Sequence, residues 1–345
     1  MIKKLQTSLI ALVVSVFGFF SVPLSTASAA DCSVHIGDFD WDSANIHTAI
    51  GAYILENGYG CDVQVTKGST NPILAALIDN QIDIIFEHWT DNNVQLIDPE
   101  LESGNLVFLG VNTPASEQAF FVDRATSEKY NITSVEDLAK PEIAMLFKDP
   151  ENPEKGRLTS CISGWTCYTI NLVKLKEYGL DDLYTNFDPG SGGALDAAIM
   201  AASTKNQPIV TYYWTPTSLM GKPEVDLVRL TEPAYEESCW SDMMTVVEDI
   251  KANGPEVYKP SCACEYKDMA LTKLATGKFA KEQPAIIDFA NAYTIPTAVV
   301  NNMLAYYVDE SGGDMEATAM HYLETDSSWE SWVPADVAAK VKKSL

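Results

Sequence analysis

The feature that most constrains this chain is a doubled spacing of tryptophan. Trp41 and Trp89 stand 48 positions apart, and Trp165 and Trp214 stand 49 apart. Each interval reads as helix, strand, helix, strand. In the first, a strand "CSVHIGDF" leads to Trp41, and "SANIHTAIGAYILENGYG" then sets Ile46, Ile50, Tyr53 and Ile54 on one helical face, with Gly58 or Gly60 as the stop. "CDVQVT" is the next strand, "NPILAALIDNQ" a short helix with Pro72 near its first turn, and "IDIIFEHW" the strand that ends at Trp89. The second interval repeats this order as "WTCYTINLVKLKEYGL", "DLYTNFD", "SGGALDAAIMAAS" and "QPIVTYYW". Such alternation predicts a parallel sheet with helices on its faces.

Two copies of the unit predict two lobes, and the geometry of the sheet then places the tryptophans. In open parallel α/β sheets, ligands sit outside the carboxyl ends of the strands. Trp89 and Trp214 end strands. Trp41 follows a strand and opens a helix, and Trp165 is expected to do the same after a strand "EIAMLF". All four therefore gather at one edge of two facing lobes. Any one of them alone reads as a core residue; four at matching positions read as an aromatic enclosure. Trp240, Trp329 and Trp332 fall outside the repeat and read as packing residues.

An aromatic enclosure suits a trimethylammonium group, which carries diffuse positive charge and has no N–H to donate. Each desolvated cation–π contact contributes on the order of 2 kcal/mol. Several such contacts, less the cost of ordering, match micromolar binding at about −8 kcal/mol.

The start of the chain reads as an export signal over residues 1–29. Lys3 and Lys4 precede an apolar run from Leu9 to Phe20, and Ala27-Ser28-Ala29 offers a cleavage site before Ala30 or Asp31. The mature chain keeps about 315 residues, enough for two lobes. Losing the two lysines moves the formal charge from −25 to −27, which argues against nucleic acid and fits a soluble exported protein. Seven cysteines in an exported chain suggest disulfides. Cys32 and Cys61 begin neighbouring strands, and Cys161 and Cys167 bracket "ISGWT", so both pairs are expected to be bridged. Cys239, Cys262 and Cys264 compete for a third bridge. Cys262-Ala263-Cys264 lacks the spacing and companions of a zinc site. No metal and no cofactor are expected.

"DFDWDSANIHTAI", "GYGCDVQV", "DIIFEHWTDN", "CISGWTC" and "YYWTP" resemble the glycine betaine/choline class of ABC-transporter substrate-binding proteins over most of the mature chain. "GYGCDV" and the cysteine-bracketed Trp165 are similar to the branch that includes trimethylamine N-oxide binders. The resemblance implies an α/β periplasmic-binding-protein fold whose two lobes close over an osmolyte. It implies a cage of Trp41, Trp89, Trp165 and Trp214, a membrane permease as partner, a monomer, and a periplasmic location. The lobes are expected at 30–114, 115–233 and, returning to the first lobe as mainly helix, 234–345.

The ligand's other end is less defined. Backbone N–H groups near Ser163 and Gly164, or at the helix start after Trp41, are candidates to meet a carboxylate. Glu87 has three readings: balancing the cation, donating to an N-oxide oxygen when protonated, or standing as a solvated or salt-bridged loop carboxylate. "DPGSGGALD" reads as a glycine-rich turn and helix start, without the lysine of a phosphate loop. The rival readings are a sugar-binding protein and a secreted glycoside hydrolase, in which the tryptophans would stack on carbohydrate. No pair of carboxylates, GxSxG turn or metalloprotease histidine spacing marks an enzyme.

Overall fold

A computed structural model describes residues 32–345. The proposed signal and its cleavage point lie outside the described residues. The first repeat unit runs β1 (Ser33–Phe39), α1 (Asp42–Ile54), β2 (Asp62–Gly68), α2 (Thr70–Ile78) and β3 (Ile84–His88), followed by α3 (Val94–Ser103). β1 lies between β2 and β3, parallel to both. Helix α1 packs tightly on this sheet at Gly51, where an added Cβ would lie 2.7 Å from the Phe86 ring. Glycine is what allows that approach.

The 18-residue strand β4 (Leu106–Asp123) then carries the chain from one half to the other. The second unit comprises α4 (Arg124–Tyr130), α5 (Pro141–Ala144), β5 (Gly156–Thr159), α6 (Thr166–Glu177), β6 (Tyr184–Phe187), α7 (Gly192–Lys205) and β7 (Val210–Thr215). β5 lies between β6 and β7, parallel to both, so the two units share one topology. β8 (Leu227–Arg229) adds a short strand on β4. The chain continues through α8 (Glu237–Asn253), β9 (Met269–Thr276), α9 (Gly277–Glu282), α10 (Pro284–Ala292), α11 (Thr297–Asp309), α12 (Met315–Thr325) and α13 (Ala335–Ser344).

Two antiparallel strands close the pattern. β9 inserts between β3 and β4, while β4 pairs with β7. β4 faces β9 as far as Ser116, opposite Met269, and faces β7 from Glu117, opposite Thr215. Repeated register shifts between Phe108 and Ser116 bend β4 at this crossover, as bulges do. Pro114 lies in that bulged stretch, where a missing N–H disturbs no regular ladder. Helix α8 touches both α6 and α3 before β9 rejoins the first sheet.

One expectation fails. "EIAMLF" is not a strand: α5 covers Pro141–Ala144 and a 3₁₀ turn covers Met145–Phe147. Pro141 sits in the first turn of α5, where its fixed φ favours helix. The strand ahead of Trp165 is β5 instead. The cysteines pair as Cys32–Cys61, Cys161–Cys167 and Cys239–Cys262, leaving Cys264 free and buried.

Candidate functional site

The shared topology puts the tryptophans at equivalent places. Trp41 and Trp165 are the extended residues just before α1 and α6. Trp89 leaves β3, and Trp214 is the penultimate residue of β7. All four line one cavity between the two sheets' carboxyl ends. They are 5–8 % exposed, so all four are enclosed in the cleft.

The rings stand as walls. Trp165 meets Trp41 edge to face, with centroids 5.2 Å apart at 74°, and meets Trp214 at 5.2 Å and 82°. Phe39 stacks behind Trp41 at 4.6 Å, and Tyr213 backs Trp214 at 4.7 Å. Trp89 is tied in through Glu87. The Oε1 atom of Glu87 accepts from Trp41 Nε1 at 2.6 Å, Trp89 Nε1 at 3.0 Å and Ser43 Oγ at 3.2 Å.

Glu87 is therefore a strand residue, 1 % exposed, and not a solvated loop carboxylate. Burial pushes its carboxyl up to about 7, against the lowering effect of those three hydrogen bonds. His47 Nε2 lies 3.9 Å from Glu87 Oε2. His47 carries no charge near neutrality, since burial and then the charge of Lys273 hold its imidazole down at about 3.

The remaining expected positions are occupied differently. The Ser163 N–H donates to Asp188 Oδ2 at 3.2 Å. Gly164 lies against the opposite half, where an added Cβ would sit 2.5 Å from Ser69 Oγ. Neither borders the cavity. "DPGSGGALD" does begin a helix, with Ser191 Oγ accepting from the Ala194 N–H.

Sequence reasoning passed over the polar floor of the cavity. Asn92 and Gln118 exchange side-chain hydrogen bonds of 2.9 and 3.2 Å, and Tyr212 Oη donates to Gln118 Oε1 at 2.8 Å. His88 and Asn93 also line it. His88 and Asn92 lie within "IDIIFEHWTDN" and were open to notice. Gln118 sits in an apolar strand 26 residues from its partner, and no local pattern marks it. No lysine, arginine or carboxylate lines the cavity among the described residues.

Residues 33–325 match the family described as the substrate binding domain of an ABC-type glycine betaine transport system. The chain belongs to this family. It is a family of substrate-binding domains, not of enzymes. Among curated relatives, the glycine betaine-binding periplasmic protein OusX of Dickeya dadantii is 32% identical over 126 residues, 36% of this chain and 37% of that protein. The Escherichia coli glycine betaine/proline betaine-binding periplasmic protein is also 32% identical over 126 residues, 36% of this chain and 38% of that protein. These alignments span well under half of either relative.

Solved structures carry the likeness through the whole fold. The glycine betaine/L-proline-binding protein ProX of Borrelia burgdorferi has a TM-score of 0.68 at 15% identity, covering 90% of this chain and 99% of that one. A choline-binding protein in complex with choline has a TM-score of 0.67 at 17% identity, covering 90% and 97%. Lactococcal OpuAC, complexed with glycine betaine, has a TM-score of 0.65 at 16% identity, covering 88% and 100%. The family and these structures establish a two-lobed periplasmic-binding-protein fold with its cleft between the lobes.

Proposed function

We propose that this chain is the extracytoplasmic binding component of an ABC importer and captures a trimethylated ammonium or betaine-type osmolyte. Glycine betaine, trimethylamine N-oxide, choline and related compounds are the candidate ligands of that class. The observation that carries the reading is the single cavity walled by Trp41, Trp89, Trp165 and Trp214. Aromatic faces attract a diffuse cation electrostatically, and their apolar area suits its methyl groups. Glu87 supports the same reading: its carboxyl receives both indole N–H groups and, once ionised as pH rises through about 7, adds negative charge behind two of the walls.

The glycine betaine-binding periplasmic relatives support the ligand class and a periplasmic location, and the family's ABC-type transport system supports a permease partner. The lobes are proposed to divide near residues 114 and 233. The carbohydrate alternatives lose ground, because the family is not enzymatic and no carboxylate lines the cavity among the described residues.

The test is calorimetry with choline and its neutral isostere, in which carbon replaces the quaternary nitrogen. Choline should bind much more tightly. Trp89→Ala should weaken it by about 2 kcal/mol, roughly thirtyfold, and Trp89→Phe by less. Equal binding of charged and neutral forms would reduce the cage to an apolar pocket.

A further inference from the structure

His88 is the last residue of β3, and its placement breaks the strand's regularity. The β3–β9 pairing runs Ile84 with Ala275 and Ile85 with Leu274, then shifts register before His88 meets Thr272. Bulges re-aim side chains, and they are common beside binding sites. Here Glu87 reaches two indole N–H groups while its neighbour His88 also borders the cavity.

The His88 imidazole is unevenly served. Its Nδ1 lies 3.4 Å from Thr272 Oγ1, which lies 2.8 Å from Thr90 Oγ1. Its Nε2 is buried and has no hydrogen-bond partner among the described residues. The residue is 2 % exposed, so bulk water does not serve that atom. An unsatisfied buried polar atom is destabilising, so a ligand group that pairs with it gains from doing so. Several other polar groups of the cavity are already engaged: Asn92, Gln118 and Tyr212 with one another, and Asn93 with Thr166 Oγ1 at 2.8 Å. Burial holds His88 down at about 3, so the ring is neutral and offers one donor nitrogen and one acceptor nitrogen.

We propose that His88 Nε2 hydrogen-bonds the oxygen atom of the caged ligand and so selects oxygen-bearing trimethylammonium compounds over bare quaternary ions. This rests on the cage reading above and adds a second contact to it. With Nε2 protonated, the ring donates to an N-oxide or carboxylate oxygen. With the proton on Nδ1, facing Thr272 Oγ1, Nε2 accepts from a hydroxyl. The aromatic walls hold the methylated head, and His88 reads what is attached to it.

Two ligand pairs isolate the contact: trimethylamine N-oxide against tetramethylammonium, and choline against propyltrimethylammonium. Within each pair a methyl group replaces the oxygen or hydroxyl. Wild-type protein should prefer the oxygen-bearing member of at least one pair by about tenfold, the equivalent of one buried hydrogen bond. His88→Phe should abolish that preference, bringing the affinity ratio within each pair to about one. His88→Gln, whose amide extends towards the Nε2 position, should restore part of it. A preference unchanged in His88→Phe, or an equal loss for both members, would overturn the proposal.

Nitrogen-15 NMR of histidine-labelled wild-type protein provides the check that needs no variant. The His88 Nε2 signal should move with the oxygen-bearing ligand and stay with tetramethylammonium. Equal behaviour with both ligands would also overturn it. Failure of wild-type protein to bind any quaternary ion would instead remove the cage reading, and this inference with it.

Discussion

Glu87 concentrates the electrostatics of the site in one carboxylate. One of its oxygens receives three donors, while burial raises the group to about 7 from an ordinary 4.5. The protonated folded state is favoured, so the stabilisation is fully present below pH 4.5 and is lost as pH rises through about 7. Lys273, held down to about 7 by burial, contributes in the opposite sense, gaining stability as pH rises from that value. The informative quantity is therefore the difference between wild type and Glu87→Gln. In ligand-free melts, wild type should lose stability relative to the variant between about pH 5 and 8. Cation affinity should rise over the same range in wild type, because ionised Glu87 favours the cation, and should stay flat in Glu87→Gln. Parallel curves for the two proteins would show that Glu87 does not titrate in this window.

At the scale of elements, the doubled unit was legible because it is written in local signals. Apolar periodicity, capping residues and matched tryptophans each report on their own stretch of chain, and β2-β1-β3 and β6-β5-β7 follow from them. What escaped depends on distant partners. β9 was passed over as part of a helical return, yet it is a central strand with Lys273 buried in it, its Nζ held by the carbonyls of Val111 and Tyr293. A lysine in a strand reads as exposed until those acceptors are known. Short apolar runs such as "EIAMLF" carry no period long enough to separate strand from helix, and Pro141 decides that case. The burial of Glu87 was likewise invisible, since two of its three donors, Trp41 and Ser43, come from the start of α1. The loop before α6 makes a related point. Gly164 meets Ser69 across the cleft with no room for a Cβ. Gly164→Ala should leave the melting temperature nearly unchanged but weaken ligand binding, because the clash arises only when the halves touch. Unaltered affinity, measured by calorimetry, would show that the loop yields to the methyl group.

For the whole molecule, these contacts describe a closed form. Trp165 Nε1 donates to Asp40 Oδ1 at 2.5 Å, Thr166 Oγ1 to Asn93 Oδ1 at 2.8 Å, and Lys222 pairs with Asp309 at 3.0 Å. Each joins a residue of the second repeat unit or its extension to one packed with the first sheet. The exposed lysine pair contributes little by itself. On the proposed cage reading the tryptophans decide the balance: two come from each half, so a cation between them would gain its full set of aromatic contacts only when the halves meet. A ligand shifts a conformational equilibrium by its difference in affinity for the two states, and here that difference is the pair of walls added on closing. The bulged stretch of β4, between partners in one sheet and partners in the other, is where bending disturbs the fewest regular hydrogen bonds. Small-angle scattering of the mature protein should therefore show a smaller radius of gyration when choline or glycine betaine is saturating. Trp165→Ala removes both a wall and the bond to Asp40, so it should reduce the contraction at equal occupancy. An unchanged profile in wild type, with binding verified on the same sample, would mean that the halves stay closed without ligand and that the cage is filled by another route.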